Sequence, residues 1–347
     1  MATVLLVRHG ETTWNRSGRV QGWAPTPLTE RGHEQAAALG AHLASTVDVD
    51  RLVSSDLRRA QETARYIARE TESELTTDAA SDMGLCSGTP LAIGMLDSAA
   101  ELVGVGATEI SVALVRLGTA GGVMTLTPRP AWRAGCMLYP HPVRPLWYYQ
   151  AGTNAATTSL EWALSLFGID TAGDAYALLD AEVASVAPGA EGMLFHPYLR
   201  GERAPYWSSR IRGGFSGVTI RHSRPAFLRS VLEGVAYSMR DCTSLLDWNS
   251  VTDIRVCGGG AKSTAWCQIM ADVLALPVRQ VTFQDASALG AALAAVAGCT
   301  DTDLAQLAHD AGLDSRLFEP ERDNVATYEE GFRRYKEIAQ QYLRTFS

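Results

Sequence analysis

The sequence predicts an α/β protein assembled from two unlike parts. Three observations carry that expectation. The chain opens on an apolar run that ends in Arg8-His9-Gly10-Glu11-Thr12, the pattern of a buried parallel strand that delivers polar groups at its end. Further on, strands and helices alternate around glycine-rich junctions at Gly118-Thr119-Ala120-Gly121 and Gly258-Gly259-Gly260-Ala261-Lys262-Ser263. Between the two, at Glu72–Ser81, the pattern breaks into a polar joint of Glu, Thr, Ser and Asp.

Residues 2–8 read as the first strand, a continuous run of β-branched residues and Leu. Thr29 is expected to start a helix whose apolar face carries Ala36, Leu39 and Leu43, with Gly32 an early blemish. Val47–Ser54 reads as a second strand. Ser55 and Asp56 are expected to cap a helix running to about Glu72. The result is one β-α-β-α unit with a right-handed crossover. With only two strands and exposed edges, it is a poor independent domain.

Beyond the joint, Ile110–Arg116, Gly122–Thr127, Ala134–Tyr139 and Leu146–Gln150 read as short strands of a meander. Helices are expected at about 155–167 and 173–184. Ser223 caps a strong helix with Pro225 in its first turn, and Leu228, Val231, Leu232, Val235 and Met239 keep one face apolar. Val251–Val256 is a strand leading into the triple glycine. A helix from Ser263 to about Leu276, a strand at Val278–Thr282 and a helix from Ala286 follow. Within that last helix, Leu289–Ala297 is too short to span a membrane and suits a buried position. The final helix, about 323–344, is expected to bury Tyr328, Phe332, Tyr335 and Tyr342 as core.

Composition narrows the function. The length of 347 residues suggests two domains, and a hydrophobic fraction of 46% supports real cores. A net charge of −8 argues against a nucleic-acid surface and leaves a small-molecule substrate. No stretch is long enough to cross a membrane, and the N-terminus lacks a signal pattern. The six cysteines form no Cys-x-x-Cys pair and have no His cluster beside them. They read as reduced, buried thiols of a cytoplasmic protein, with neither a disulfide frame nor a zinc site.

His9 follows a strand end. A neutral imidazole there is a competent nucleophile toward phosphorus, giving a phosphohistidine that water can split. Arg8 and Arg59 would neutralise phosphoryl oxygens, and Asn15 could donate a further hydrogen bond. Either Arg8 or His9 taken alone reads better as the cap of a strand. The combination of Arg8-His9-Gly10-Glu11-Thr12, Asn15, Leu28-Thr-Glu-Arg-Gly32 and Ser54-Ser-Asp-Leu-Arg-Arg-Ala60 resembles the histidine phosphatase family, which includes the phosphoglycerate mutases. The resemblance covers roughly residues 1–73. It implies that His9 accepts the phosphoryl group and that Arg8, Asn15 and Arg59 bind phosphate. Glu62 stands where the family usually has Gln. The family's Gly-x-Trp-Glu-Gly and Ser-His-Gly stretches, which carry the leaving-group acid and the second histidine, do not occur. Without general acid catalysis, about 10²–10⁴-fold in rate is forfeited.

In the second part, Asp97 follows Gly94-Met-Leu. It reads either as a helix N-cap or as a general base that takes a proton from a sugar hydroxyl. The turn at Gly118–Gly121 reads either as an ordinary hairpin or as an anion nest of backbone N–H groups. The Gly258–Ser263 junction lets a ligand approach the backbone closely, and the helix N-terminus after it favours anions. Its spacing is not that of a P-loop.

These stretches occur in order with Gly88-Thr-Pro, Pro197-Tyr-Leu-Arg-Gly-Glu-Arg203-Ala-Pro, Gly214-Phe-Ser-Gly-Val, Val231-Leu-Glu-Gly-Val and Ser287-Ala-Leu-Gly290-Ala-Ala. The series resembles the FGGY carbohydrate kinases, xylulokinase-like members above all, from about residue 76 onward. It implies an actin-like (ribonuclease H-like) ATPase domain using ATP with Mg2+ and a sugar or polyol acceptor. Asp97 would be the catalytic base. Gly118 and Thr119 would face the phosphates, and Gly258, Gly259, Gly260, Ala261 and Lys262 would lie near the adenosine. Ala226 stands where the family's signature usually has His or an acidic residue.

The expected organisation is a partial histidine phosphatase segment at 1–75, the end strip of an FGGY N-terminal domain at 76–108, and the FGGY C-terminal domain at 109–347. The family's Asp-x-Gly-Thr phosphate hairpin does not occur in the sequence. Kinase activity toward a xylulose-like sugar is therefore expected to be impaired. Two alternatives stay open: a phosphatase acting through phosphohistidine at His9, and a non-catalytic fusion that binds nucleotide. Expected partners are a sugar or sugar phosphate and a nucleotide, with no nucleic acid or membrane, and oligomerisation is left open.

Overall fold

The computed structural model describes residues 5, 7–17, 19, 21, 24–50, 52–55, 57–73, 75–76, 94–169, 175–282, 285–300, 302–311 and 315–346. They divide into two compact units, Met1–Leu91 and Ala92–Ser347.

In the first unit, a short helix α1 (Thr13–Arg16) is closed by a capping box between Thr12 and Asn15. Helix α2 (Glu30–Thr46) starts at Thr29, whose side chain accepts from the Gly32 N–H as the sequence suggests. Helix α3 (Arg58–Thr71) packs along α2. Strands β1 (Leu52–Val53) and β2 (Leu75–Thr76) pair in parallel.

Several expectations need correction here. Of the strand expected at 2–8, Leu5, Val7 and Arg8 are described and are not in a strand; the rest lies outside the described residues. Val47 terminates α2, so the strand expected from Val47 shrinks to Leu52–Val53. Helix α3 has Leu57 at its N-cap with no side-chain cap; Ser55 Oγ accepts a 3.3 Å bond from Leu57 N–H, and Asp56 lies outside the described residues.

The second unit is built on a seven-stranded sheet, ordered β11-β10-β9-β3-β4-β6-β5. Its strands are β3 (Val112–Leu117), β4 (Gly121–Thr127), β5 (Met137–Pro140), β6 (Trp147–Gly152), β9 (Asp253–Cys257), β10 (Val278–Val281) and β11 (Ser315–Phe318). The expected meander β3–β4 and β5–β6 is antiparallel throughout. Strand β9 then lies parallel to both β3 and β10. The pair β7 (Leu194–His196) and β8 (Gly214–Ser216), of three residues each, and the edge strand β11 were not expected from the sequence.

Alternation along the strands sorts two cores. Ala113, Val115, Leu117, Val123, Tyr149 and Ala151 face one way. That side is covered by α5 (Thr157–Leu166), α7 (Arg224–Thr243), α8 (Thr264–Leu274) and α11 (Arg322–Thr345). Leu228, Val231, Leu232, Val235 and Met239 of α7 are all fully buried, each stabilising by about 1.5–3 kcal/mol. Ser223 occupies the N-cap of α7, but without a side-chain cap bond. On α11, Tyr328 and Tyr335 are buried as expected, whereas Phe332 and Tyr342 are only half-buried.

The other sheet face carries Val112, Leu114, Met124, Leu126, Tyr148 and Cys257, under α4 (Asp97–Gly104) and α9 (Ala286–Thr300). These two helices touch through glycine. A Cβ on Gly104 would stand 1.8 Å from the Ala286 carbonyl oxygen, and one on Gly290 would stand 1.8 Å from that of Ala100. Helix α9 is not the buried helix its sequence suggests. Only Ala286 and Gly290 are buried on it, and Val296 is exposed.

Candidate functional site

Strands β3 and β4 are joined by a three-residue turn between the paired residues Leu117 and Gly121. Its carbonyls point into the start of α5. The Gly118 oxygen accepts from Thr157 N–H at 2.9 Å, and the Thr119 oxygen accepts from Ala156 N–H at 3.0 Å. In a trans peptide the N–H points opposite to the C=O. The N–H groups of Thr119 and Ala120 are thereby aimed away from α5, and they find no acceptor among the described residues. Two adjacent outward N–H groups are the donors that an anion nest would use.

The neighbouring strand β9 ends beside that turn. Gly258 has φ +92°, and a Cβ there would stand 2.7 Å from the Leu117 oxygen, so only glycine lets the two strand ends approach this closely. Gly259–Lys262 then forms a short 3₁₀ turn. A cavity of about 370 Å³ opens beside it, lined by Gly258, Gly259, Ala261, Lys262, Gln280 and Asp285 among others. Gln280 fixes the turn by donating a 2.6 Å bond to the Ala261 oxygen. Gly260 is buried behind it, where a Cβ would stand 2.8 Å from Leu117 Cβ.

The helix N-terminus after this turn is not free to take an anion, contrary to the sequence expectation. Asp180, on α6 (Ala175–Ala184), already occupies it. Its Oδ2 accepts from Thr264 N–H at 2.8 Å and Ala265 N–H at 3.3 Å, and Ser263 Oγ accepts from Trp266 N–H at 3.0 Å. Those orphan donors are satisfied internally. The loop is thus rigidly mounted, and its open side is the cavity.

Asp97 is the first residue of α4, with Leu96 at the N-cap, so the N-cap reading of Asp97 does not hold. Its carboxylate is exposed and accepts a 2.7 Å bond from Ser98 N–H. One turn further, the buried Glu101 reaches the ends of both central strands. Its Oε1 lies 3.5 Å from Arg116 Nε and accepts from Cys257 Sγ at 3.3 Å. Burial pushes the Glu101 carboxyl up, against the opposing pull of Arg116 and Cys257, and Asp97 adds to the rise. The structure therefore carries the Asp97 helix to the same strand ends that bear the two glycine turns. Asp180, Gln280, Glu101 and Arg116 were not singled out from sequence. Each sits in an ordinary helix or strand pattern with no motif around it.

In the first unit, His9 Nδ1 donates to the Gly10 oxygen at 2.7 Å. That tautomer leaves the lone pair on Nε2, the atom that would attack phosphorus. Gly10 N–H donates to Thr63 Oγ1 at 3.1 Å, and Thr63 Oγ1 donates to the Arg59 oxygen at 2.9 Å. The His9 turn is in this way tied to the helix carrying Arg59. Arg59 itself is buried and donates to the Ala24 oxygen at 3.2 Å. Arg8 is exposed. Asn15 uses its carbonyl Oδ1 to accept from Thr12 N–H at 3.1 Å, closing α1. At the departure noted above, Glu62 accepts from Leu28 N–H and pairs with Arg58; these outweigh the opposing effect of burial and hold its carboxyl below the usual range.

The second unit has the fold of an actin-like ATPase domain. Residues 113–299 match the FGGY family of carbohydrate kinases, C-terminal domain, and residues 4–82 match the histidine phosphatase superfamily, branch 1. The chain belongs to the FGGY family of carbohydrate kinases, with a histidine phosphatase-like segment at its N-terminus. It is 33% identical over 251 residues to the xylulose kinase of Lactococcus lactis subsp. lactis, covering 71% of this chain and 50% of the relative. It is 33% identical to the gluconokinase of Bacillus subtilis, covering 61% of this chain and 43% of the relative. The crystal structure of xylulose kinase from Rhodospirillum rubrum superposes with a TM-score of 0.70 at 29% identity, covering 78% of this chain and 55% of that one. The chain spans about half the length of the curated relatives it matches.

Proposed function

We propose that the second unit binds ATP with Mg2+ and is the nucleotide-holding part of a sugar kinase acting on a xylulose-like ketose or polyol. The observation that carries this reading is the contact between Gly258 and Leu117, which sets the nest of the 118–121 turn beside the 258–285 cavity. The adenosine side would rest on Gly258, Gly259, Gly260, Ala261 and Lys262, and the phosphates on Gly118 and Thr119. No group of three or more His, Cys, Asp or Glu side chains among the described residues could hold a metal. Mg2+ would be held mainly by the nucleotide phosphates and water with one or two carboxylates, the usual arrangement in kinases.

In the transfer step, a sugar hydroxyl oxygen forms a bond to the γ-phosphorus as the bond to the ADP oxygen breaks, and Asp97 accepts the hydroxyl proton. Positioning and charge neutralisation dominate such a step. The sequence holds no Asp-x-Gly-Thr phosphate hairpin, so we expect binding of ATP to outlast turnover. Calorimetry with ATP and Mg2+ tests the reading: binding that weakens in Gly259→Trp supports it, and no binding refutes it. Robust phosphorylation of xylulose, abolished by Asp97→Ala, would overturn the impairment.

A second reading concerns the first unit and rests on the Gly10–Thr63–Arg59 hydrogen-bond chain. His9 would retain trace phosphatase activity on aryl phosphates, whose leaving groups need little protonation, and none on alkyl phosphates. Phosphate release from both substrate types, with His9→Ala as control, tests it. Efficient alkyl ester hydrolysis lost in His9→Ala would show that another residue supplies the acid.

A further inference from the structure

Arg116 stands one residue before the end of β3, on the sheet face that α4 covers. Its Nε is 3.7 Å from the position a Cβ would take on Gly118, so the guanidinium lies along the phosphate turn itself. Its side chain remains 42% exposed. Its ion-pair partner among the described residues is Glu101, whose Oε1 lies 3.5 Å from Nε, and its terminal nitrogens donate no hydrogen bond to the described residues. Glu101 is the opposite case. It is 7% exposed, fixed by Cys257 on one oxygen, and its Oε2 has no hydrogen-bond partner among the described residues. Keeping a carboxylate in so dry a place is costly unless a cation is held against it. A surface guanidinium would ordinarily swing through many rotamers, whereas this one is tethered from below. The turn it lies along carries the two outward N–H groups of Thr119 and Ala120. A forked cation and two aligned amides make a donor set suited to a tetrahedral dianion.

We propose that Arg116 is a phosphate-binding residue of the nucleotide site and that Glu101 is its positioning residue. The inference rests on the ATP-binding reading above and deepens it. Arg116 and the amides of Thr119 and Ala120 close on one phosphoryl group, while the 258–285 cavity takes the nucleoside. The guanidinium supplies fixed positive charge against the phosphates at a turn where the sequence offers no lysine.

The test is calorimetry on the full chain with three probes: ATP with Mg2+, inorganic pyrophosphate, and adenosine. Arg116→Ala should weaken ATP and pyrophosphate about tenfold or more, the usual effect of losing charge-assisted hydrogen bonds, and leave adenosine unchanged. Unchanged adenosine binding also shows that the variant is folded. Arg116→Lys should recover part of the loss. Glu101→Gln should weaken ATP in the native background and change nothing further when combined with Arg116→Ala, the signature of action through one residue. Equal ATP affinity in Arg116→Ala overturns the inference and leaves the nucleotide reading intact. An equal loss for adenosine makes Arg116 merely structural and also overturns it. Arg116-dependent pyrophosphate binding without ATP binding keeps the inference and removes the nucleotide reading. Failure of the native chain to bind either anion removes both.

Discussion

Asp180 accepts two 2.8 Å hydrogen bonds from Thr264, one from the backbone N–H and one from the hydroxyl. A side chain from one helix thus closes the N-terminus of another, and the loop between Gly258 and Ser263 is pinned at its far end. Asp180→Ala should cost about 1–2 kcal/mol, the usual value of a lost N-terminal cap, and should weaken ATP binding through added loop freedom. Thermal melting and nucleotide titration check both. Unchanged melting in Asp180→Ala would mean that water replaces the carboxylate without loss.

The contact of α4 with α9 predicts a strong response to a single methyl group. In Gly104→Ala or Gly290→Ala the new carbon would meet a backbone carbonyl at 1.8 Å, which no side-chain rotation relieves. Each change should destabilise the second unit by about 1–3 kcal/mol, read as a lower denaturant midpoint. Native-like stability of both variants would show that the helices can separate cheaply.

Arg229 and Glu233 form a buried pair on α7, 2.7 Å apart, with Tyr328 bridging them. Arg229→Ala strands the carboxylate and should cost about 3–5 kcal/mol. The double change Arg229→Met with Glu233→Leu should cost clearly less, since no buried charge is left unpaired. Urea unfolding of the two variants decides between a pair needed for stability and one retained for another reason.

Glu202 gives the fold a pH dependence. Burial pushes its carboxyl up to about 7, against the opposing hydrogen bonds of the Asn154 and Arg203 N–H groups. The folded state therefore holds this proton more tightly than the unfolded chain, whose glutamate has an ordinary value near 4.5. Stability from this group is full below that value, falls as pH rises toward about 7, and is level above it. Comparing the native chain with Glu202→Gln between pH 5 and pH 8 should show a relative loss on the order of 3 kcal/mol at the alkaline end. A constant difference across that range would refute the assignment.

Much of the second unit could be read in the sequence because its signals are local. The meander strands are short, mostly apolar runs set off by turns, the helix at Arg224 carries its proline in the first turn, and the glycine turns sit between such segments. The first unit was less legible. The run from Val47 looked like a strand by residue type, yet Val47 itself ends a helix. What the sequence could not supply was the partner of each site residue. Asp180 lies far along the chain from Thr264, and Glu101 far from Cys257. No periodicity announces such meetings. The apolar helix after Ala286 misled for a related reason: composition reports hydrophobicity but not which neighbours come to cover it.

The central pairing of the sheet has a consequence for how the site is born. Strands β3 and β4 are joined by a hairpin and can zip together on the microsecond scale of such elements. Strand β9, which brings Gly258 against Leu117, pairs with β3 across about 140 intervening residues. Closing so long a loop comes late and slowly. During synthesis the 118–121 turn therefore exists, fully shaped, well before anything can lie beside it. Until the ribosome has released the segment beyond Lys262, one flank of β3 is an open strand edge, the kind of surface that invites pairing with another chain. The strand order that makes a nucleotide cavity thus also sets the interval in which the nascent protein is most exposed to aggregation.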